Sequence, residues 1–260
     1  MVHPNSIQHQ WAIITGATSG FGLAIAECFA ASGCRLILTG RRKKRLDDIA
    51  ADFQKRFAVD VLTYSFDIRH RDHCAEMAND LTHRGIVPDI LINNAGLASG
   101  KSKIQDGLIS DWEAMIDTNI KGLLYITRAI LPLMISNDKG HIINIGSTAG
   151  HWVYPEGNVY NATKFAVRAL NEGINLDLAG TRIRCCSIDP GAAETEFSLV
   201  RFHGDTQKAG RVYEGYQPLL AEDIARTALF IVTSPDHVNI TNVVISPTAQ
   251  RNYHLIHRKP

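Results

Sequence analysis

The alternation of two kinds of segment constrains the fold of this chain more than any other feature. Short apolar runs rich in β-branched residues occur in the order WAIIT, RLILT, DVLTYSF, DILIN, GHIINIG, IRCCSID and NVVIS. Runs of this kind predict strands that are buried on both faces. Between them, segments such as FGLAIAECFAAS and EDIARTALFIV gather their apolar residues on one helical stripe. Strands that alternate with helices predict an α/β fold, with a parallel seven-stranded sheet and helices on both faces.

One stretch departs from this rhythm. Residues 191–220 contain four glycines, Pro218 and scattered charge with no clear period. An irregular segment of this length inside a compact domain is often a lid or a binding loop, and we expect a substrate loop here. The 260-residue chain shows no linker, low-complexity segment or internal repeat, so we expect a single domain over residues 1–260.

The charge balance and the cysteines argue against several classes of function. Charged residues make up 20% of the sequence and the net charge is +1, which gives no general attraction to nucleic acid or to an anionic membrane. No apolar run reaches the roughly 18 residues of a membrane span. The start, MVHPNSIQHQW, does not have the pattern of a secretory signal. Five cysteines without paired CxxC spacing fit reduced thiols in a cytoplasmic protein, with no metal site.

The first predicted strand runs directly into the glycine-rich turn TGATSGFG and then into a helix. There, Gly16, Gly20 and Gly22 would let the backbone approach a pyrophosphate, and the helix N-terminus offers free N–H groups to the same anion. The spacing GxxxGxG differs from the general GxGxxG fingerprint, and a tight turn needs glycine for steric reasons as well. The place of the turn, in the first βαβ unit, favours dinucleotide binding over a bare structural turn.

The second predicted strand ends in the basic run RRKKR, which has three interpretations: a solvated helix start, a nucleic-acid patch, or a pocket for one phosphate. In dinucleotide folds an acidic residue at this strand end selects NAD, whereas arginine accommodates the 2′-phosphate of NADP. No acidic residue stands there, and a guanidinium matches phosphate geometry. We therefore assign Arg41 and Arg42 to the 2′-phosphate and predict NADP, with Lys43, Lys44 and Arg45 on the solvated start of the next helix. The near-neutral chain disfavours nucleic-acid binding.

The candidate chemistry lies in the second half of the chain. Ser147 ends the strand GHIINIG at the sheet edge where open α/β folds bind ligands. Tyr160 and Lys164 are four residues apart in VYNATKFAV, and on a helix they would share one face. A neighbouring ammonium is expected to lower the pKa of a tyrosine from about 10, which would let it exchange a proton near neutral pH. Taken singly, the three have ordinary interpretations: a strand-end hydroxyl, a half-buried ring and a surface charge.

The chain as a whole resembles the short-chain dehydrogenase/reductase family. The motifs that carry the resemblance are TGATSGFG, NNAG, TNIKG, Ser147, YNATK and DPG, in family order and spacing over nearly the whole chain. The resemblance implies a doubly wound Rossmann-type fold and an oxidoreductase that uses NADP. It also implies that Tyr160 is the general acid/base, that Lys164 binds the nicotinamide ribose, and that Ser147 and Tyr160 bind the substrate oxygen.

The same resemblance assigns further residues. Asn119 would anchor a water of a proton relay, although a capping or helix-kinking amide is the alternative. The whole set assigned to NADP is Gly16, Thr18, Ser19, Gly20, Phe21, Gly22, Arg41, Arg42, Asp67, Ile68, Asn94, Ala95, Gly96, Tyr160, Lys164, Pro190, Gly191 and Thr195.

A narrower resemblance points to NADP-dependent 3-hydroxy acid dehydrogenases of the serine or allo-threonine dehydrogenase and malonic semialdehyde reductase type. It is carried by GNVYNATK, ETEFSLVRFHGD, PLLAEDIA and PDHVNITNVVISPTAQ. The chain differs at Ala192 and Ala193, where larger apolar residues are usual, and at Glu156, where a small residue is common. These positions flank the expected substrate pocket, so they leave the chemistry unchanged and the substrate open.

Several alternatives follow. The substrate is a short 3-hydroxy acid or, instead, another small ketone, a diketone or a sterol-like carbonyl compound. A non-catalytic NADP-sensing protein is the alternative from another class, which the presence of Ser147, Tyr160 and Lys164 disfavours. An acid substrate would need a cationic partner, and the candidates lie in or near the irregular segment; a solvated lid charge is the alternative for each. These candidates are Arg201, His203, Lys208 and Arg211. The family resemblance implies a homotetramer, and the charge balance predicts no nucleic-acid or membrane partner.

Overall fold

The fold is known from a computed structural model that describes residues 5–252 and 254–259. The expectation about a secretory signal rests partly on residues 1–4, which lie outside these ranges. All seven predicted strands form one parallel sheet, in the order β3-β2-β1-β4-β5-β6-β7. The strands are β1 Trp11–Thr15, β2 Arg35–Gly40, β3 Val61–Ser65, β4 Ile90–Asn93, β5 Gly140–Ile145, β6 Ile183–Pro190 and β7 Asn242–Ile245.

Helices connect the strands and cover both faces of the sheet. They are α1 Gly20–Ala31, α2 Lys43–Phe57, α3 Arg71–His83, α4 Ile109–Ile116, α5 Leu123–Ser136, α6 Asn158–Asp177, α7 Phe197–Arg201, α8 Thr206–Arg211 and α9 Ala221–Val232. A π-helical turn, Asp117–Gly122, joins α4 to α5, and 3₁₀ turns cover Ile104–Asp106 and Thr148–Gly150. Within the described ranges, no helix is both long and apolar enough to span a bilayer.

Alternate residues of each central strand face opposite layers of helices. In β1, Ile14 packs into the core that includes Phe29 of α1 and Ile224 of α9. The preceding residue, Ile13, packs into the core on the other face, which includes Ile126 of α5. Because a strand buried on both faces has no polar side to present, this packing explains the continuous apolar runs of the sequence.

The strand order reverses beside β1, where β2 lies on one side and β4 on the other. A crevice opens at the carboxyl ends of the strands at such a point, and ligands of open α/β sheets bind there. The Thr15 hydroxyl at the end of β1 accepts hydrogen bonds from the backbone N–H groups of Asn94 and Ala95, at 3.0 and 2.9 Å. The loop after β4 is thereby fixed beside the glycine-rich turn.

The segment 191–220 is less irregular than its sequence suggests, because it contains the short helices α7 and α8. Its two ends are joined by backbone hydrogen bonds, from Leu219 N to the Ala192 carbonyl (3.0 Å) and from Glu194 N to the Leu219 carbonyl (2.9 Å). Next to these hydrogen bonds, the Tyr213 hydroxyl donates to the Ala193 carbonyl at 2.7 Å. We call residues 191–220 the lid, because α7 borders the cleft described next.

Candidate active site

A cleft of about 310 Å³ opens at the carboxyl edge of the sheet. It collects predicted site residues that are far apart in sequence, and the lid residues Glu196, Phe197 and Val200 close one side of it. The predicted residues that line it are Gly16, Thr18, Ser19, Gly20, Phe21, Arg41, Arg42, Asp67, Ile68, Asn94, Ala95, Gly96, Tyr160, Lys164 and Thr195.

The glycine-rich turn has the backbone shape that only glycine adopts without strain. Gly16 and Gly20 have φ angles of +66° and +53°, in the left-handed region. A Cβ atom on Gly22 would collide with the Asn94 amide and the Gly16 carbonyl, so this glycine allows α1 to pack closely on the turn. On the open side, a Cβ on Gly20 would lie 3.4 Å from that of Thr195 in the lid. A narrow backbone cradle of this kind fits a pyrophosphate at the start of α1.

Arg42 extends over the turn. Its Nε donates to the Thr18 hydroxyl at 2.9 Å, and an Nη donates to the Ser19 hydroxyl at 2.8 Å. Its other Nη is 3.1 Å from a carboxylate oxygen of Glu196. The guanidinium therefore lies beside the cradle, at the place where an adenosine ribose phosphate is expected.

The rest of the basic run divides into two groups. Lys43 and Lys44 are on the exposed first turn of α2, where they pair with Asp47 and Asp48 one turn later. Arg45, however, points to the lid, where its guanidinium is 3.0 Å from Glu196. All three residues are exposed at the start of α2, as predicted, and Arg45 in addition pairs with Glu196 of the lid.

Arg41 and Asp67 line the same end of the cleft. The Arg41 side chain is 66% exposed and 3.9 Å from the Asp67 carboxylate. Burial raises the pKa of Asp67, but hydrogen bonds from Arg69 outweigh it and hold the pKa below its ordinary value. Asp67 is therefore an ionised acceptor, a form suited to the amino group of an adenine.

Tyr160 and Lys164 share the inner face of α6, as their spacing predicts. The Lys164 ammonium donates to the Ile145 carbonyl at 2.8 Å and is 5.9 Å from the centre of the Tyr160 ring. Ser147 caps the 3₁₀ turn after β5, where its hydroxyl accepts from Ala149 N at 3.0 Å and lies 3.4 Å from the Pro190 carbonyl. The Ser147 hydroxyl acts on the Tyr160 phenol and lowers its pKa, so these two predicted residues are neighbours.

The pKa of Tyr160 is raised, in contrast to the expected lowering by Lys164. Burial is the largest cause and the neighbouring Tyr154 adds to it, while the Ser147 hydrogen bond and the Arg201 guanidinium oppose them. Burial also lowers the pKa of Lys164 to about 8, against the attraction of Asp189. The spacing of the two residues correctly predicted their shared face, but it carries no information on how deeply that face is buried.

Asn119 is buried in the π-helical turn and makes three hydrogen bonds. Its amide exchanges two 2.8 Å bonds with the backbone of Leu97 and donates to the Thr163 hydroxyl at 3.0 Å. It therefore fixes the loop after β4 against α6, at the residue that directly precedes Lys164. A π-helical turn is a common feature of functional sites, and the water-anchoring role of Asn119 stays a prediction.

Five predicted residues lie beside the cleft rather than on its wall. Gly22 and Asn119 pack behind it, and Ser147 contacts it through Tyr160. Pro190 ends β6 next to Ser147. Gly191 donates its N–H to the Ile245 carbonyl at 2.7 Å, and a Cβ there would collide with Gln250.

Among the residues of the site that were not predicted in their observed places, three make specific contacts. Thr15 ties two loops together, Glu196 pairs with both Arg42 and Arg45, and Arg201 lies against the Tyr160 ring. The sequence offered a signal for Arg201, which was among the cationic lid candidates. Nothing in the local pattern connects Glu196 with a helix about 150 residues upstream in sequence.

Comparison with known proteins identifies relatives over almost the full chain. The family model described as short chain dehydrogenase matches residues 10–204. An NADP-dependent 3-hydroxy acid dehydrogenase YdfG from Salmonella typhi is 46% identical over 239 residues, which cover 92% of this chain and 95% of that protein. Sulfoacetaldehyde reductase 2 from Chromohalobacter salexigens is 43% identical, over 92% of this chain and 94% of its own length.

Solved structures of similar proteins support the same family and fold. The closed form of a serine dehydrogenase complexed with NADP⁺ superposes with a TM-score of 0.90 and 42% sequence identity, and the match covers 96% of this chain and 100% of the other. A levodione reductase structure, at 23% identity and a TM-score of 0.83, shares the fold. The predicted doubly wound α/β fold and the family resemblance are both confirmed.

Proposed function

Since this chain belongs to the short-chain dehydrogenase family and is an NADP-dependent oxidoreductase, we propose that it interconverts a short 3-hydroxy acid and the corresponding carbonyl compound. One observation carries this proposal. The cleft joins a glycine cradle and an arginine at one end to Tyr160 and Lys164 at the other. Relatives named for a 3-hydroxy acid and for serine support the substrate class.

The cofactor end of the cleft fits NADP. The left-handed glycines Gly16 and Gly20 leave a path for the pyrophosphate, and the start of α1 supplies N–H groups to it. Arg42 would bind the 2′-phosphate together with Arg41, because a guanidinium keeps its charge and matches the phosphate oxygens. The remaining residues of the predicted set, among them Pro190, Gly191 and Thr195, would border the nicotinamide half. When bound, NADPH supplies a hydride to a carbonyl carbon.

Tyr160 would supply the proton. Because burial raises its pKa, the phenol is protonated at neutral pH and can donate to the oxygen of a carbonyl substrate. Ser147 is a neighbour of the same phenol and would bind the same substrate oxygen. In the oxidative direction, Tyr160 first loses its proton to solvent, and the resulting phenolate accepts the proton of the alcohol as the hydride passes to NADP⁺. The positive charges of Arg201 and Lys164 would favour this phenolate.

Lys164 and Asn119 would complete the site. The buried Lys164 ammonium is 2.8 Å from the Ile145 carbonyl, between Tyr160 and the end of β5, where it would also bond the nicotinamide ribose. Asn119 fixes Leu97 and Thr163, so it positions the wall of the site behind Lys164. Holding both reactants in contact is itself a large part of the acceleration.

The space beside Tyr160 favours a small substrate. A recess next to the ring, lined in part by Ser99, Glu156 and Arg201, has a volume of only about 10 Å³. This is room for about one water-sized group. This side of Tyr160 therefore has no space for a bulky group such as that of a sterol-like compound.

A substrate panel tests the proposal. Short 3-hydroxy acids, their carbonyl forms, a small diketone and a sterol ketone would be assayed with NADP(H) and NAD(H) by absorbance. We expect the highest kcat/KM for a short acid with the phosphorylated cofactor. Preference for the diketone or the sterol would contradict the substrate class, and an equal rate with NADH would contradict the assignment of the arginines.

We also propose that residues 1–260 act as one domain and that the enzyme is a cytoplasmic homotetramer without nucleic-acid partners. Light scattering coupled to size exclusion measures the mass in solution. A particle of a single 28.7 kDa chain would contradict the tetramer.

A further inference from the structure

We propose that Arg201 of the lid binds the acid group of the substrate and so makes the enzyme selective for acids. The inference rests on the proposed function, and it identifies which of the four cationic lid residues is the partner. The acid group is an oxyanion, carboxylate or sulfonate, which a guanidinium binds through two parallel hydrogen bonds.

Arg201 lies within reach of a substrate that is bound at Tyr160. Its guanidinium carbon is 5.6 Å from the centre of the Tyr160 ring and 5.4 Å from that of Tyr154. In a three-carbon 3-hydroxy acid, the hydroxyl oxygen is about 4 Å from the carboxyl carbon when bond lengths are near 1.5 Å. A substrate whose oxygen contacts the Tyr160 hydroxyl can therefore reach Arg201 with its other end.

Arg201 also has a buried N–H group that is available to an anion. One Nη donates to the Tyr154 hydroxyl at 2.7 Å. The Nε–H is buried, and no described residue accepts a hydrogen bond from it. An unpaired buried donor on a charged group is costly, and a bound anion would remove that cost. The backbone of Arg201 is fixed as well, since its carbonyl accepts from Gly100 N at 3.0 Å.

The other charges near the recess are already paired. Glu156 is 3.4 Å from Lys101, and Asp111 accepts a 2.6 Å bond from Ser99 and lies 3.4 Å from His203. Repulsion of an acid substrate by these carboxylates is therefore reduced.

The other three cationic candidates do not have the burial of Arg201. His203 is 57% exposed and pairs with Asp111. Lys208 is 67% exposed and pairs with Asp205 on α8. Arg211 is exposed at the end of α8. Arg201 alone among these four combines contact with the Tyr160 ring and an unpaired buried donor.

The test compares acids with a neutral analogue. Wild type, Arg201→Met and Arg201→Lys would be assayed on 3-hydroxypropionate, 2-hydroxyethanesulfonate and the methyl ester of 3-hydroxypropionate. For Arg201→Met we expect kcat/KM on the preferred acid to fall by about 100-fold, mainly through KM, because a desolvated charged partner is lost. The ester should change by less than about threefold, and Arg201→Lys should recover part of the loss, since it keeps the charge without the fork.

Two control variants separate binding from lid structure. Tyr154→Phe removes the observed partner of Arg201 but leaves the guanidinium, so acid selectivity should persist. Arg211→Met removes an exposed lid arginine and should behave as wild type. The two acids show whether wild type prefers carboxylate or sulfonate, and the loss in Arg201→Met should follow whichever it prefers.

Two results would overturn the inference. If Arg201→Met loses activity on acid and ester equally, the residue supports the lid and does not select the acid. If acid activity is unchanged, Arg201 is not the partner, although the proposed function still stands. A wild-type enzyme that turns over the neutral ester but neither acid would refute the proposed function and Arg201 together.

Discussion

The two ends of the cleft are held in place by different kinds of contact. At the adenosine end, the cradle is formed by backbone between strands, and Thr15 fixes the adjoining loop through two backbone N–H groups. At the substrate end, backbone hydrogen bonds join the two ends of the lid, but the lid faces the cleft through side-chain pairs, such as Arg201 with Tyr154 and His203 with Asp111. A single substitution can remove a side-chain pair but hardly moves a sheet. Cofactor binding should therefore resist changes in the lid, whereas substrate selection should depend on them.

The variant Tyr160→Phe should show the largest effect, a loss of turnover with NADPH affinity retained. This variant removes the proton donor but keeps the ring that packs near Phe197 and Arg201. We expect turnover to fall by about 1000-fold, in the range of general acid catalysis. NADPH affinity, measured by fluorescence titration, should be unchanged, because the adenosine end is untouched. Activity near that of wild type would show that another group supplies the proton.

For Arg42→Ala we expect the opposite result, a loss of NADPH affinity with the catalytic step retained. The variant loses a guanidinium beside the cradle, and we expect NADPH to bind about 30-fold more weakly because charge-assisted hydrogen bonds to the 2′-phosphate are lost. NADH affinity should remain constant, and so should kcat at saturating NADPH. Lys44→Ala is the matched control, since Lys44 is 91% exposed on the same helix start. Equal weakening of NADPH and NADH would mean that Arg42 supports only the shape of the turn.

Lys164 lies where the two ends meet, and its protonation should be visible in the pH profile. Burial lowers its pKa to about 8, so the ammonium is present below that pH and is lost above it. The raised pKa of Tyr160 keeps the phenol protonated throughout the same range. We expect kcat/KM for carbonyl reduction to be level near neutral pH and to fall by about tenfold per pH unit above about 8. The same decline in Lys164→Met would assign it to another group.

The contrast between the two ends also explains what could be predicted from the sequence. The cradle, the strand ends and the face shared by Tyr160 and Lys164 follow from local spacing, because a strand or a helix determines where each next residue lies. The raised pKa of Tyr160 could not be predicted, since it depends on burial by residues from several elements. The same holds for Arg45, which lies on a predicted solvated turn but pairs with a lid residue.

Glu196 does not fit the distinction between the adenosine end and the substrate end of the cleft, because it is a lid residue that contacts the adenosine end. Its carboxylate is 3.1 Å from Arg42 and 3.0 Å from Arg45, so it competes for the guanidinium that would bind the 2′-phosphate. For Glu196→Gln we expect NADPH to bind about threefold more tightly, within the range of an exposed ion pair. NADH has no phosphate at that position, so its dissociation constant should not change. Weaker binding of NADPH by Glu196→Gln would show instead that the ion pair positions the lid for the cofactor, and the lid would then contribute to both ends of the cleft.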